Sequence, residues 1–78
     1  MPPRQPLRAL HTPAYRRFVK RLILARKRAG LTQVEVARVL NRPQSFVSKC
    51  EAGERRVDVV ELQAFARVYG VPLSFFLK

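Results

Sequence analysis

The sequence predicts an all-α domain of five helices, and three observations carry that expectation. Apolar residues recur at helical spacing along much of the chain, and no alternating run reads as a strand. Two segments, residues 31–36 (LTQVEV) and 57–62 (VDVVEL), share one helix-start device, with a capping polar residue, a glutamate three positions on and a flanking apolar clamp. Prolines and glycines fall where helices would begin or end, at Pro13, Gly30, Pro43, Gly70 and Pro72. Seventy-eight residues make one small domain, burying about 60% of what its unfolded chain exposes. That leaves no room for an enzyme cleft beside a core.

In chain order, Pro2, Pro3, Pro6 and Pro13 keep the first dozen residues from regular structure. Residues 1–12 therefore read as a flexible basic arm carrying Arg4 and Arg8, ahead of a domain over 13–78. Thr12 is placed as an N-cap with Pro13 at the first helical position. The first helix then runs to about Ala29, with Tyr15, Phe18, Val19, Leu22, Ala25 and Ala29 as its apolar stripe. Arg16, Arg17, Lys20, Arg21 and Arg28 lie across from that stripe, and Gly30 supplies a left-handed stop. Thr32 and Glu35 open a second helix over about Gln33 to Leu40, clamped by Leu31 and Val36. Asp58 and Glu61 open a fourth over about Val59 to Tyr69, which buries Leu62, Phe65, Ala66 and Tyr69 and stops at Gly70. Pro72 can open a last short helix with Leu73, Phe76 and Leu77.

The third helix follows a sharp break at Asn41, which tolerates a left-handed backbone, and Pro43 fits its first position. Counted at about 100° per residue from Pro43, Phe46, Val47 and Cys50 fall at ~300°, ~40° and ~340°. On the same count Gln44, Ser48, Ser45 and Lys49 fall at ~100°, ~140°, ~200° and ~240°. The two sets occupy opposite faces. A face chosen only for solubility favours stronger helix formers than serine. Short serines let a helix press close to a surface, and a Gln amide matches the N6 and N7 edge of adenine in the major groove.

Charge points the same way. Residues 1–49 hold twelve Lys or Arg against one acid, Glu35, whereas residues 50–78 hold four of each sign. The whole excess of +11 thus belongs to the N-terminal part. This polarity suits a module with one face on a polyanion, nucleic acid before an acidic membrane surface. No apolar run approaches the ~18 residues of a membrane span, and the broken N-terminus lacks a signal-peptide core. A single cysteine cannot close an internal disulfide, so a cytoplasmic location is expected. One His (His11), one Cys and no paired carboxylates argue against an enzyme, a metal centre or a cofactor. Cys50 on an inner face reads as packing.

Residues 30–56 (GLTQVEVARVLNRPQSFVSKCEAGERR) resemble the helix-turn-helix of the Xre family, the lambda-repressor-like and Cro-like DNA-binding domains. The Gly-Leu-Thr-Gln opening, Ala37 at the small packing position, Val47 and Cys50 inside the third helix, and residues 51–54 (EAGE) carry the likeness. It extends through residues 58–76 (DVVELQAFARVYGVPLSFF) and so covers roughly residues 15–77. Three positions depart from the pattern. Asn41 replaces the usual turn glycine. Arg42 stands where an apolar residue is usual, which turns that corner toward phosphate rather than the core. Cys50 replaces a larger side chain, so the core there is expected to be slightly underfilled.

The resemblance implies roles position by position. Gln44, Ser45, Ser48 and Lys49 would face the major groove, with Gln44 the foremost base contact. Gln33 would set its amide on a phosphate at a helix N-terminus. Arg42, Arg55, Arg56 and Arg28 would grip the DNA backbone, which sets register but not sequence. Arg26 lies within the first helix's apolar stripe, where a bare charge is costly, and family members pair charges at the positions of Arg26 and Glu51. Those two are expected to form a salt bridge. Phe75, Phe76 and Leu77 cannot all point inward from one short helix, so part of that set with Leu73 is a candidate dimer surface. The implied protein is a regulator, repressing in preference to activating, bound to a palindromic operator as a homodimer. The basic arm would add phosphate or minor-groove contacts. The rival is an antitoxin-type regulator whose C-terminal surface binds a toxin, and contact with RNA polymerase is a further possibility.

Overall fold

The computed structural model describes residues 12–78, and the expected basic arm with Arg4, Arg8 and His11 lies outside them. Four α-helices follow in order: α1 (Pro13–Arg28), α2 (Gln33–Leu40), α3 (Gln44–Glu51) and α4 (Val59–Tyr69). A 3-10 helix over Leu73–Leu77 closes the chain. Among the described residues there is no strand. The fold class is therefore all-α as expected, but with four α-helices and a 3-10 turn in place of five α-helices. After Pro72, whose backbone is extended, the segment closes on an i to i+3 bond from Phe75 N–H to the Pro72 carbonyl at 2.9 Å. Bonding of that span is the pattern of a short 3-10 turn.

The helix starts follow from their caps. Thr12 accepts from Tyr15 N–H ahead of Pro13. Thr32 with Glu35 and Asp58 with Glu61 each form a reciprocal capping box. Pro43 is one place further out than its sequence suggests. It is the N-cap of α3, extended at φ −67° and ψ 153°, so the helix begins at Gln44. Asn41 closes α2 in the left-handed region at φ 57°, the break that redirects the chain into α3.

The core draws on every element. Leu22 and Ala25 come from α1, Val36 and Ala37 from α2, and Phe46, Val47 and Cys50 from α3. Phe65, Ala66 and Tyr69 come from α4, and Phe75 and Phe76 from the 3-10 helix. Phe46 stacks on Phe65 with centroids 5.9 Å apart, and Phe65 on Tyr69 at 5.8 Å. Ala29, expected in the stripe of α1, is exposed, because it sits past the last helical residue. Leu62 is only partly buried. Cys50 is fully buried. An open space of about 70 Å³ lies beside Leu40, Arg42, Phe46, Glu61 and Ala64.

Candidate nucleic-acid interface

The candidate recognition surface is the outer face of α3, whose apolar residues hold it to the domain. Phe46, Val47, Cys50 and Glu51 are buried, while Gln44, Ser45 and Lys49 are exposed and Ser48 is half-exposed. The four polar side chains thus share one outward face. Ser48 donates to the Ser45 carbonyl at 3.3 Å, which keeps its hydroxyl close to the helix.

On one flank of α3 stands Glu51, the buried charged residue of the core. Its Oε2 accepts from Arg26 Nε at 2.7 Å and its Oε1 from Arg26 Nη2 at 3.0 Å, a two-pronged bridge between α1 and α3. Arg26 Nη1 donates to the Leu31 carbonyl at 2.9 Å, so the guanidinium also braces the turn into α2. The Glu51 hydrogen bond pushes the Arg26 pKa further up against the opposing effect of burial. Glu51 Oε1 accepts a second bond, from Gln33 Nε2 at 2.9 Å, and Gln33 Oε1 accepts from Gln44 Nε2 at 3.3 Å. Arg26, Glu51, Gln33 and Gln44 therefore form one relay from α1 to the outer face of α3. Sequence spacing does not disclose the two glutamine bonds, because they join side chains from different helices.

The other flank has its own carboxylate. Glu61, at the start of α4, accepts from Arg55 Nη1 at 2.8 Å and Nη2 at 2.9 Å, and Arg42 Nη1 approaches at 3.6 Å. The Arg42 and Arg55 guanidiniums lie 3.8 and 4.7 Å from the Phe46 ring centroid. Both are cation–π distances. Chiefly through its bonds to Arg55, the Glu61 carboxyl is held below the usual glutamate range. Sequence reasoning gave Arg42 and Arg55 to phosphates alone and missed this cluster. The signal was the second role of a capping-box glutamate, which has one oxygen left for a neighbour. Behind the cluster, Tyr15 Oη accepts from Val57 N–H at 3.1 Å and donates to the Arg55 carbonyl at 3.5 Å, tying α1 to the loop after α3.

The remaining candidates are placed differently. Arg56 is exposed in that loop, and its carbonyl accepts from Arg55 Nη1. Arg28 lies apart from the others, with its guanidinium 5.7 Å from the Phe75 ring centroid. Of the dimer candidates, Phe75 and Phe76 are buried core residues, 8% and 1% exposed, and so are removed from any such surface. The 3-10 turn points both rings inward, leaving Leu73 (38%) and Leu77 (77%) outside. Among the described residues no group of His, Cys, Asp and Glu could hold a metal ion. No helix among them is long and apolar enough to cross a membrane.

A helix-turn-helix domain model matches residues 17–74, most of the chain. The chain belongs to the Xre family. This Xre-family domain is similar in structure to an XRE-family like protein from Pseudomonas syringae pv. tomato str. DC3000. The two are 44% identical with a TM-score of 0.79, over 90% of this chain and 85% of the other. No curated protein matches. As an Xre-family helix-turn-helix, α2 and α3 form its DNA-binding unit.

Proposed function

We propose that this domain is a sequence-specific transcriptional regulator that binds a palindromic operator as a homodimer and represses by occupying it. The observation that carries this reading is the outer face of α3, short and polar, mounted between the Glu51 and Glu61 clusters. Rigid support of that kind is what groove reading requires. In this reading Gln44, Ser45, Ser48 and Lys49 touch bases. Gln44 is oriented by Gln33, and its amide carbonyl and remaining N–H suit an adenine edge. Gln33, Arg42, Arg55 and Arg56 meet phosphates, the two clustered arginines through the guanidinium edges that Glu61 leaves open. Dimerisation uses the exposed Leu73 and Leu77 on the neutral half of the chain, where two copies do not repel. It would set two recognition helices about 34 Å apart, one DNA turn.

The test is selection of bound sites from a random duplex pool, repeated with Gln44→Ala. A palindromic consensus from the wild type, relaxed at one position in each half-site by the substitution, supports the reading. A pool that stays random refutes it.

A further inference from the structure

We propose that the outer face of α1 is a second binding surface for duplex DNA, so that one domain can hold two DNA segments. The proposal rests on the DNA-binding reading of α3 and adds a separate site to it.

The face is defined by α1 itself. Residues Pro13–Arg28 include no acid, and the first turn of the helix has none to complement its dipole. Counted at about 100° per residue from Pro13, Tyr15 and Arg26 leave the helix at ~200° and ~220°. Those two side chains reach the loop after α3 and α3 itself. Arg17, Lys20 and Lys27 leave at ~40°, ~340° and ~320°, on the opposite side. All three are exposed, and none enters an ion pair among the described residues. The acids nearest in sequence are engaged elsewhere, Glu35 on the Thr32 cap and Glu51 on Arg26.

The edge of this face is held in place. Arg21 Nε donates to the Phe75 carbonyl at 2.8 Å, and its guanidinium lies 4.0 Å from the Phe75 ring centroid. Arg28 approaches the same ring from further along the helix. The C-terminal turn thereby positions two more cations beside the exposed three, and it gives Arg28 a place that the α3 surface does not.

Like charges at helical neighbours weaken a helix, and a face selected for solubility would intersperse acids. A polyanion removes that repulsion. From Arg17 to Lys27 the row runs about 15 Å, over which a duplex presents roughly nine charges. A membrane is the poorer occupant, because no large apolar side chain of α1 is exposed to enter a bilayer.

Five proteins decide the matter: wild type, a groove-blocked Ser45→Glu/Ser48→Glu variant, each of these with Arg17→Gln/Lys20→Gln/Lys27→Gln, and a charge-conserving Arg17→Lys/Lys20→Arg/Lys27→Arg control. Anisotropy of a labelled random-sequence duplex is read across a salt titration. Capture of a second labelled duplex by bead-bound duplex and protein is read alongside. The groove-blocked protein should retain salt-steep binding, and the three glutamines should lower its log–log slope by about 0.9 for each phosphate no longer neutralised. They should also cut second-duplex capture about tenfold while leaving the wild-type sequence preference intact. Arg17→Lys with Lys20→Arg and Lys27→Arg should retain capture. Unchanged capture with the glutamines overturns the proposal. So does a groove-blocked protein that ignores duplex or binds only anionic vesicles. A wild type that selects no sequence defeats the α3 reading instead, and the α1 measurement stands without it.

Discussion

At the scale of single residues, the Arg26–Glu51 pair is the strongest constraint, because both side chains are largely buried and each nitrogen and oxygen of the pair is hydrogen-bonded. Removing one partner strands the other, so Glu51→Ala should cost about 3 kcal/mol in urea unfolding. Arg26→Met combined with Glu51→Leu should cost far less, because no charge is left behind. A double-variant loss equal to the sum of the two single losses would show that the pair is not coupled. In the proposed reading Glu51→Ala should also blur base discrimination by Gln44, since Gln33 then loses its bond to Glu51. Tyr69 is the opposite case. Its hydroxyl is buried without a hydrogen-bond partner among the described residues, and burial drives its pKa well up. Tyr69→Phe removes that unsatisfied group and should raise stability by up to about 1 kcal/mol in thermal unfolding.

Among the elements, α4 has a pH-dependent attachment to the recognition helix. Glu61 has a native pKa below its unfolded value, mainly because of Arg55. Its contribution is therefore complete above about pH 4.3, the unperturbed glutamate value, and is lost as pH falls through the lower native value. A thermal unfolding series should show this as a steeper acid limb, and Glu61→Gln should flatten it. The elements also mark how far the sequence could be read. Capping boxes and turn residues encode helix ends locally, so Gln33–Leu40 and Val59–Tyr69 were legible to the residue. The Arg26–Glu51 pair was legible because a charge inside an apolar stripe demands a partner, and the family resemblance pointed to Glu51 as that partner. Arg55 was not. Gly53, left-handed at φ 74°, bends the loop after α3 so that Arg55 N–H bonds back to the Lys49 carbonyl. A turn of that kind has no periodicity, so the sequence assigns Arg55 to phosphate and gives no sign of its bond to Glu61. The last segment misled for a related reason: with five residues, neither a helical count nor a face assignment is defined.

For the whole molecule, the charge asymmetry and the fold meet in DNA binding. In the proposed reading Arg55→Ala removes one phosphate contact, and it also leaves Glu61 without its main partner. It should weaken binding to all sequences alike and lower the salt slope by about 0.9 or more, with unfolding measured in parallel. An unchanged slope with reduced stability would assign Arg55 to bracing alone. Cys50 connects these scales. It is the chain's single thiol, wholly buried on the inner side of α3, and burial raises its pKa. A thiol reagent can reach it only when the recognition helix lifts from the core. The rate of labelling is therefore a clock for that opening, free of any engineered probe. In the proposed reading bound DNA should slow the clock, and the slowing would measure how much of the binding affinity is spent on keeping α3 shut.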